Sequence, residues 1–417
     1  MSTIAAIKAN EILSSSGTPT IEAEITLDSG FSAAASVAFG ASVGNYEALT
    51  LFDCDPKRYA GLGMLQAVDN INRLIAPQLI GAAIADQAVI DQKLISLDGT
   101  DRKLRLGGNA LLAVSLAVAR AAALDQNIPL YRYLRQTYGF TGPITFPKPM
   151  AVMIEGGRHA ANSTDFQEYL ITVLQDKPVS DNLRLVEEIY QQLERVLSQA
   201  NLSTNVGREG AFAPAGINAN QSPFDYLLTA IKAAAYSPGT DVALSLDAAA
   251  SEFFQNGQYH LRLENKSFTA SQLIDYYLSW LNQYPIVSFE DMLSQDDWSN
   301  WITLTEKLAS VRNIADDLTA TNLHRLEKAI ELKAANGLIV KLNQAGTLTE
   351  TIACCKLAQK SGFWLIPSHR GGGETNDDFL VDLAIAVNAP FIKVGPTRGE
   401  RVAKYNRLLK IASELDK

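Results

Sequence analysis

Pro285-Ile286-Val287-Ser288-Phe289-Glu290-Asp291 is a short apolar run that ends on two carboxylates, and the same arrangement recurs along the second half of the chain. Short apolar runs separated by helical segments are typical of the strands of a parallel sheet. Five further runs lead to Asp247, Asp316-Asp317, Lys341, Ser368-His369-Arg370 and Lys393. In a β/α barrel the strands end at one face, and this face carries the active site. The pattern therefore predicts a β/α barrel with these groups in one pocket.

The region before this barrel has a different pattern. Residues 20–27 alternate like a half-buried strand, residues 28–30 supply a turn, and residues 31–38 are suited to a partner strand. Helical patterns follow after Tyr59, as expected for a small α+β domain. A Gly- and Pro-rich stretch at 139–149 marks the boundary. We therefore predict an α/β protein with a capping α+β domain at 1–138 and a barrel at 139–417.

Composition limits the function classes. The 417 residues are 47% hydrophobic and 19% charged, with a net charge of −9. This is the balance of a globular enzyme, and it argues against a nucleic-acid partner, which would require a basic face. A local cationic pocket can still occur on an acidic surface, so a small anionic substrate is compatible with this charge.

The cysteines and the N-terminus bear on location. Cys54, Cys354 and Cys355 form no CxxC pair, so we expect free, buried thiols in a reducing cytosol. No basic region followed by a long apolar run is visible at the N-terminus, so no signal peptide is expected. Residues 110–124 are apolar but interrupted by Ser115 and Arg120, and we expect them to be too short and too polar to span a membrane. A cytoplasmic protein without a membrane partner is predicted.

Three of the strand-end carboxylates suggest a metal site. Asp247, Glu290 and Asp317 offer only oxygen, which favours Mg²⁺ or Mn²⁺ over zinc. Lys341 and Lys393 follow on later strands. A free lysine is a poor base at neutral pH, but a nearby cation and a second lysine lower its pKa. A metal beside a lysine base is suited to removing a proton next to a carboxylate.

The chain resembles the enolase family from about Asn10 to its C-terminus. The motifs that carry the resemblance are Arg58-Tyr59-Ala60-Gly61-Leu62-Gly63, Gln167-Glu168, Arg208-Glu209-Gly210-Ala211-Phe212-Ala213-Pro214, Asp316-Asp317-Leu318-Thr319, Lys341-Leu342-Asn343-Gln344, Ser368-His369-Arg370 and Ala403-Lys404-Tyr405-Asn406. The resemblance implies an enolase-type barrel, Mg²⁺, the glycolytic conversion of 2-phosphoglycerate to phosphoenolpyruvate, and a homodimer or a ring of dimers.

The resemblance also implies roles for single residues. Lys341 matches the base that removes the carbon proton, and Glu209, with Glu168 near it, matches the acid that helps the hydroxyl leave. His159 and His369 match active-site histidines. The remaining matches are Asp247, Glu290 and Asp317 as ligands of the tightly held Mg²⁺, Lys393 as the residue that binds the substrate carboxylate, and Arg370 as the phosphate ligand.

The sequence departs from the family pattern on the loops beside the phosphate and the second metal. Phe39, in the first loop at 38–44, stands where the family motif has a serine, and it cannot ligate a second Mg²⁺. Gly371 stands where the family's Ser-His-Arg-Ser phosphate motif has its second serine, and the loop has one extra glycine. Arg158 and Arg208 bring two new positive charges, which are suited to bidentate contact with phosphate or carboxylate. We expect them either to replace the second Mg²⁺ or grip an extra acidic group, or to pair with neighbours such as Glu155.

Three functions follow as hypotheses. The first is a Mg²⁺-dependent hydro-lyase of enolase type. The second is the same scaffold acting on a changed substrate, such as a phosphonate or an acid with a further anionic group. The third is a non-catalytic binding or regulatory protein, which the loss of a serine at Phe39 favours and the intact Lys341 disfavours.

Overall fold

An antiparallel sheet opens the chain in the computed structural model, which describes residues 2–40, 44 and 46–415. Its strands are β1 (Ile4–Leu13), β2 (Pro19–Leu27) and β3 (Ser32–Ser36). Gly30 has a φ of 89° in the turn between β2 and β3, and its N–H donates to the carbonyl oxygen of Leu27 at 3.0 Å. The predicted strand, turn and partner strand are thus confirmed.

Helices cover one face of this sheet. They are α1 (Leu65–Asp69), α2 (Ala76–Leu79), α3 (Gln87–Asp98), α4 (Gly108–Asp125) and α5 (Leu130–Tyr138), with a π-helical segment, Asn70–Ile75, between α1 and α2. Helix α4 is long and apolar enough, by length and composition alone, to cross a membrane, contrary to our expectation. However, 83% of it is buried inside the protein, as in the core helix of a folded domain. The predicted boundary at 138/139 stays a prediction; it falls between α5 and the first barrel strand.

The second part of the chain is an eight-stranded barrel surrounded by helices, which confirms the predicted fold class. In sheet order the strands are β13 (Trp364–Pro367), β12 (Gly337–Val340), β11 (Arg312–Ala315), β10 (Ile286–Glu290), β6 (Val242–Asp247), β5 (Glu168–Val173), β4 (Lys148–Glu155) and β14 (Phe391–Val394). The N–H of His369 donates to the carbonyl oxygen of Lys393 at 3.1 Å and brings the first and last strands of this order together.

The helices of this part lie between the strands in the chain. They are α6 (Val179–Gln199), α7 (Ser222–Ala233), α8 (Ala270–Leu281), α9 (Trp298–Leu308), α10 (Leu323–Glu331), α11 (Leu342–Ala345), α12 (Leu348–Lys360), α13 (Phe379–Ala386) and α14 (Gly399–Leu415). A small antiparallel sheet of β7 (Phe254–Gln255), β8 (Gln258–Leu261) and β9 (Lys266–Phe268) precedes α8.

One barrel strand contradicts the prediction of a parallel sheet. Strand β5 runs antiparallel to both β4 and β6. The segment between β4 and β5, residues 156–167, contains no helix, so the chain reverses through a loop instead of making the crossover that parallel strands need. Because of this reversal, Glu168 at the start of β5 lies opposite Asp247 at the end of β6. The start of β5 therefore belongs to the same face as the ends of the other strands.

The thiols differ in part from the prediction. Cys354 and Cys355 on α12 are buried free thiols, as expected, but Cys54 is exposed. Burial raises the pKa of the Cys354 thiol to about 12, which keeps it protonated and unreactive at neutral pH. Cys54 lies in the loop before α1, where it has a φ of 56° and no core to pack against.

Helix α6 contains a half-buried glutamate, Glu187, that makes the fold sensitive to pH. Burial raises its pKa from 4.5 to about 7, so the folded protein holds this proton more tightly than the unfolded chain does. Stability is therefore lost as pH rises from about 4.5 to about 7. We expect Glu187→Gln to stabilise the fold at pH 8 by about 1 kcal/mol, since partial exposure screens the charge, and to change little at pH 4.

Thermal melts at the two pH values measure this effect. Glu194→Gln, on the exposed side of the same helix, is the matched control and should change neither melting temperature. An equal shift at pH 4 and pH 8 for Glu187→Gln would contradict the assigned titration.

Candidate active site

The alternation of side chains along the strands determines which residues face the mouth of the barrel. Side chains at positions i and i+2 lie on the same face of a strand. Ile314, Ile339 and Phe391 fill the barrel interior, so the side chains two positions later face its axis. For β5 the count runs backwards from Leu170 because the strand is antiparallel. Ser245, Ser288 and Ile366 also lie in the barrel interior, and the same rule applies to them. The side chains that the rule places at the barrel mouth are those of Glu168, Asp247, Glu290, Asp316, Lys341, Ser368 and Lys393.

Lys393 lies at the centre of an acidic cluster. Its Nζ is 2.8 Å from Glu168 Oε2, 3.2 Å from Asp247 Oδ2 and 2.7 Å from Glu290 Oε1. Burial alone would lower the pKa of Lys393, but the three carboxylates outweigh it and raise the pKa well above its usual range. The structure thus brings two of the predicted metal ligands together with Glu168 around one ammonium group. Binding of a substrate carboxylate by Lys393 stays a prediction.

Lys341 pairs with Asp316, which was not among the predicted ligands. Its Nζ donates to Asp316 Oδ2, and Gln344 Nε2 donates to Asp316 Oδ1 at 3.0 Å. Burial acts against the charge of both partners, yet their attraction dominates, so the pKa of Lys341 is raised and that of Asp316 is lowered. In this state Lys341 is a cation and not yet a base.

Asp317 belongs to a second acidic group behind this pair. Asp291, with a φ of 46°, accepts the N–H of Asp316 at 3.0 Å and the N–H of Asp317 at 2.7 Å, and it thereby fixes the turn after β11. Burial and the charge of Asp316 raise the pKa of Asp317 to about 7. The carboxylates of Asp291, Asp316 and Asp317 lie close enough to share one metal ion. The end of β11 therefore offers two candidate ligands, the predicted Asp317 and the axis-facing Asp316.

The predicted acids Glu168 and Glu209 lie side by side with His159. His159 Nδ1 is 3.5 Å from Glu168 Oε1 and 3.6 Å from Glu209 Oε1. Burial and the charge of Glu209 raise the pKa of Glu168 to about 7, and burial also raises the pKa of Glu209. Burial lowers the pKa of His159, which favours its neutral form. At neutral pH this pair of acids can hold a proton that a departing hydroxyl requires.

His369 faces the same acids from the other side. Arg401 Nε donates to His369 Nδ1 at 3.2 Å, so the ring proton lies on Nε2, which is 3.6 Å from Glu209 Oε1. Burial and the charge of Arg401 hold the pKa of His369 well below its usual range. Next to His369, a Cβ on Gly371 would lie 2.5 Å from Glu209 Oε1 and 2.7 Å from the His159 ring. A glycine at position 371 thus leaves room for the side chains of Glu209 and His159.

The two unusual arginines lie at the outer edge of the site. Arg158 is exposed and pairs at 2.8 Å with Glu252, which lines the mouth of the barrel beside Asp247. Arg208 is exposed as well, directly before the buried Glu209. Glu155 accepts the N–H groups of Glu209 and Ala211 at 2.9 and 3.1 Å, so the partner of Arg158 is Glu252 and not Glu155. Contact of either arginine with a substrate stays a prediction.

Phe39 and the rest of the first loop bear on a second metal. The Phe39 ring is buried against Phe52, with 5.8 Å between ring centroids, and it carries no ligand oxygen. Residues 41–43 of the predicted loop at 38–44 lie outside the described residues, and so does residue 45. Ser42, whose hydroxyl group could ligate a metal, is one of them. The loss of the second Mg²⁺ site therefore stays a prediction.

Arg370 and Glu47 form a buried ion pair. The sequence analysis predicted Arg370 as a site residue but did not predict Glu47. Arg370 Nη1 lies 3.1 Å from Glu47 Oε2, and both side chains are about 5% exposed. Glu47 comes from the N-terminal domain, more than 300 residues away in the chain, and no strand-end pattern signals it. Asp291, which ends the first quoted strand run, and Gln344, in one of the quoted motifs, were given no role in the sequence analysis, since Asp291 lies off the barrel axis and Gln344 lies after the strand end. Only Asp316 carried a usable signal, its i+2 spacing from Ile314.

The donor set fits a hard divalent cation. Asp247, Glu290 and Asp316 surround the barrel mouth, and burial together with the charge of Asp247 raises the pKa of Glu290 well above its usual range. These carboxylates outnumber the cations Lys341, Lys393 and Arg370 once Glu168, Glu209, Asp291 and Asp317 are included. Mg²⁺ prefers carboxylate oxygens, and a bound cation would relieve the repulsion that these pKa shifts express.

A β/α barrel with one reversed strand, an acidic metal-type site and lysines at its mouth, covered by an α+β domain, defines an enolase-type scaffold. The comparison with protein families agrees with this class. Residues 143–417 match the model of the enolase C-terminal TIM barrel domain, and residues 4–134 match that of the enolase N-terminal domain. The chain belongs to the enolase family. Its domains support a lyase of the enolase superfamily.

Proposed function

We propose that this protein is a Mg²⁺-dependent hydro-lyase that removes a proton next to a carboxylate and expels a β-hydroxyl group. The reaction expected first is the dehydration of 2-phosphoglycerate to phosphoenolpyruvate. One observation carries the proposal: a lysine and a pair of acids lie on opposite sides of the same barrel mouth. Lys341 follows β12 and Glu168 begins β5, and these strands are four apart in the closed order of eight.

This placement suits an elimination in which the two leaving groups depart from opposite faces of the substrate. In the proposed reaction Lys341 takes the carbon proton from one face. Glu209, adjacent to Glu168, gives a proton to the hydroxyl on the other face. His159 and His369 surround Glu209 and limit the access of water to it, since both rings are buried.

We propose that a metal ion bound at this site would determine whether Lys341 is protonated. Asp316 now holds Lys341 in its charged form. A divalent cation bound by Asp247, Glu290 and Asp316 would neutralise this carboxylate and stabilise the negative charge that develops on the substrate. With Asp316 engaged in that way, Lys341 would lose its strongest attraction, and its pKa would fall toward the range of a working base.

The substrate proposed for this pocket is small and anionic. Arg370 and Lys393 are buried cations on the strand ends of β13 and β14, and each is close to carboxylates that a substrate or metal can displace. We propose that Arg370 binds the phosphate and Lys393 the carboxylate. Cytoplasmic location and assembly as a homodimer or larger homo-oligomer are proposed from the family resemblance alone.

A direct assay tests the function. With Mg²⁺, the wild-type protein should convert 2-phosphoglycerate to phosphoenolpyruvate, detected by ultraviolet absorbance of the product. Removal of divalent ions by EDTA should reduce the rate at least about 100-fold, and added Mg²⁺ should restore it, because the site holds many uncompensated carboxylates. Absence of product with Mg²⁺ at every substrate concentration would reject 2-phosphoglycerate as the substrate.

A changed substrate is the second candidate, and the exposed Arg208 beside Glu209 favours it. An acid with a further anionic group would place that group at this arginine. Arg208→Ser should then weaken binding of such an acid about 10-fold and leave 2-phosphoglycerate unaffected. An equal effect on both ligands would count against a changed substrate.

A further inference from the structure

Tyr46 and Glu47 connect the N-terminal domain to the barrel at two points. Tyr46 contacts the outer rim of the barrel, and Glu47 reaches the buried site behind it. The two residues are adjacent in the chain, so the backbone position of one constrains that of the other. Neither belongs to the set of residues that the sequence predicted.

The outer contact is an aromatic–cation stack. The guanidinium carbon of Arg325 lies 3.5 Å from the centroid of the Tyr46 ring, and the Tyr46 hydroxyl donates to Asp296 Oδ1 at 2.8 Å. Arg325 is itself fixed to the barrel, since it donates to the carbonyl oxygens of Leu318 at 2.6 Å and Gln295 at 2.7 Å. The stack is therefore a rigid docking point for Tyr46.

The inner contact links Glu47 to two groups of the candidate site. Glu47 Oε2 lies 3.1 Å from Arg370 Nη1, and Glu47 Oε1 accepts from Gln344 Nε2 at 3.2 Å. The same Gln344 nitrogen donates to Asp316 Oδ1 at 3.0 Å. The position of Glu47 thus affects both the guanidinium group of Arg370 and the carboxylate of Asp316.

The backbone around Glu47 provides only part of this placement. Arg102 Nε donates to the Glu47 carbonyl oxygen at 3.1 Å, and the Ala48 N–H donates to the Gln344 carbonyl oxygen at 2.8 Å. Both contacts lie at or after Glu47. On the N-terminal side of Glu47, the Gly44 N–H donates to Glu47 Oε1 at 3.2 Å, and Tyr46 adds side-chain contacts to the rim of the barrel.

We propose that Tyr46 is a positioning residue for substrate binding: its stack on Arg325 holds Glu47 in place, and Glu47 orients Arg370 toward the anionic group of the substrate. This deepens the proposed function and rests on it for the identity of the substrate. Tyr46 itself does not touch the reacting atoms. Its effect is expected on the affinity for the anion more than on the chemical step.

Three variants and two readouts test the proposal. Tyr46→Ala should raise the KM for 2-phosphoglycerate about 10-fold and change kcat less than about 3-fold, since it removes a half-buried cation–π contact but no reacting group. Tyr46→Phe keeps the ring and should stay within about 3-fold of wild type. Lys328→Ala is the matched control, because Arg325 also faces the ring of Trp298, 5.1 Å from its centroid, and Lys328 Nζ lies 4.2 Å from the same centroid. This variant removes a neighbouring cation–π contact without changing Tyr46, and it should have no effect.

Calorimetric titration with inorganic phosphate in the presence of Mg²⁺ separates this inference from the proposed reaction. Weaker phosphate binding by Tyr46→Ala, with rescue by Tyr46→Phe, supports the inference even if 2-phosphoglycerate is not converted. Unchanged KM and phosphate affinity in a folded Tyr46→Ala protein would overturn it while leaving the hydro-lyase intact. Wild-type protein that binds neither phosphate nor 2-phosphoglycerate would overturn it too.

Discussion

Lys341→Ala should abolish both exchange of the substrate α-proton with deuterated water and dehydration, each by about 10³- to 10⁴-fold. Lys341 is the axis-facing group after β12, and Asp316 and the barrel wall hold its Nζ at the mouth of the site. Lys393, the other axis-facing lysine, is held by three carboxylates and is proposed to bind the substrate carboxylate instead. Proton NMR in deuterated buffer measures the exchange, and absorbance measures the product.

Glu209→Gln should separate the two steps. The amide keeps the shape of the side chain but cannot deliver a proton to the leaving hydroxyl. We therefore expect dehydration to fall about 10²- to 10⁴-fold while exchange of the α-proton continues. Loss of exchange and dehydration together would contradict the division of labour between Lys341 and Glu209.

The exchange experiment also decides between enzyme and binding protein. Exchange that depends on Lys341 requires a functioning base, even where elimination is slow. If neither 2-phosphoglycerate nor a related acid exchanges its proton in the wild-type protein, the non-catalytic hypothesis gains support. Glu194→Gln on the distant surface of α6 serves as the mock variant in both assays.

The strand-end pattern predicted much of the site because strands are short and periodic. Asp247, Glu290, Lys341 and Lys393 each follow an apolar run directly, and alternation brings all four to the barrel mouth. The direction of β5 was not predictable in this way. A loop without a helix reversed the chain there, and only the pairing of Glu168 with Asp247 shows that the start of this strand joins the site.

Contacts between the domains lay beyond the reach of local patterns. Glu47 has no periodic neighbours that mark it, yet it is buried against Arg370 from the far end of the chain. The partner of Arg158 was also unpredictable, because Glu252 lies within a short helical turn after β6 and not at a strand end. Long-range ion pairs depend on how two domains dock, which residue spacing does not encode.

At the end of β11, strand alternation and the motif select different metal ligands. The resemblance points to Asp317 as a ligand of the tightly held Mg²⁺. The structure places Asp316 two residues after the barrel-filling Ile314, so its side chain faces the axis together with Glu290. Asp317 is less buried, and its N–H is held by Asp291 at 2.7 Å.

We therefore expect Asp316→Asn to weaken Mg²⁺ binding about 100-fold or more and Asp317→Asn to weaken it about 10-fold or less, the size of an indirect effect. Each change removes one charge from the same acidic group, so the pair is matched in charge and volume. Calorimetric titration with Mg²⁺ gives both affinities without reference to activity. The reverse order of the two effects would assign the site to Asp317 and show that the turn after β11 rearranges when the metal binds.

Asp316→Asn should also free Lys341 from its carboxylate partner and lower the pKa of Lys341. Any proton exchange that remains in this variant should therefore extend to lower pH than in the wild-type protein without metal.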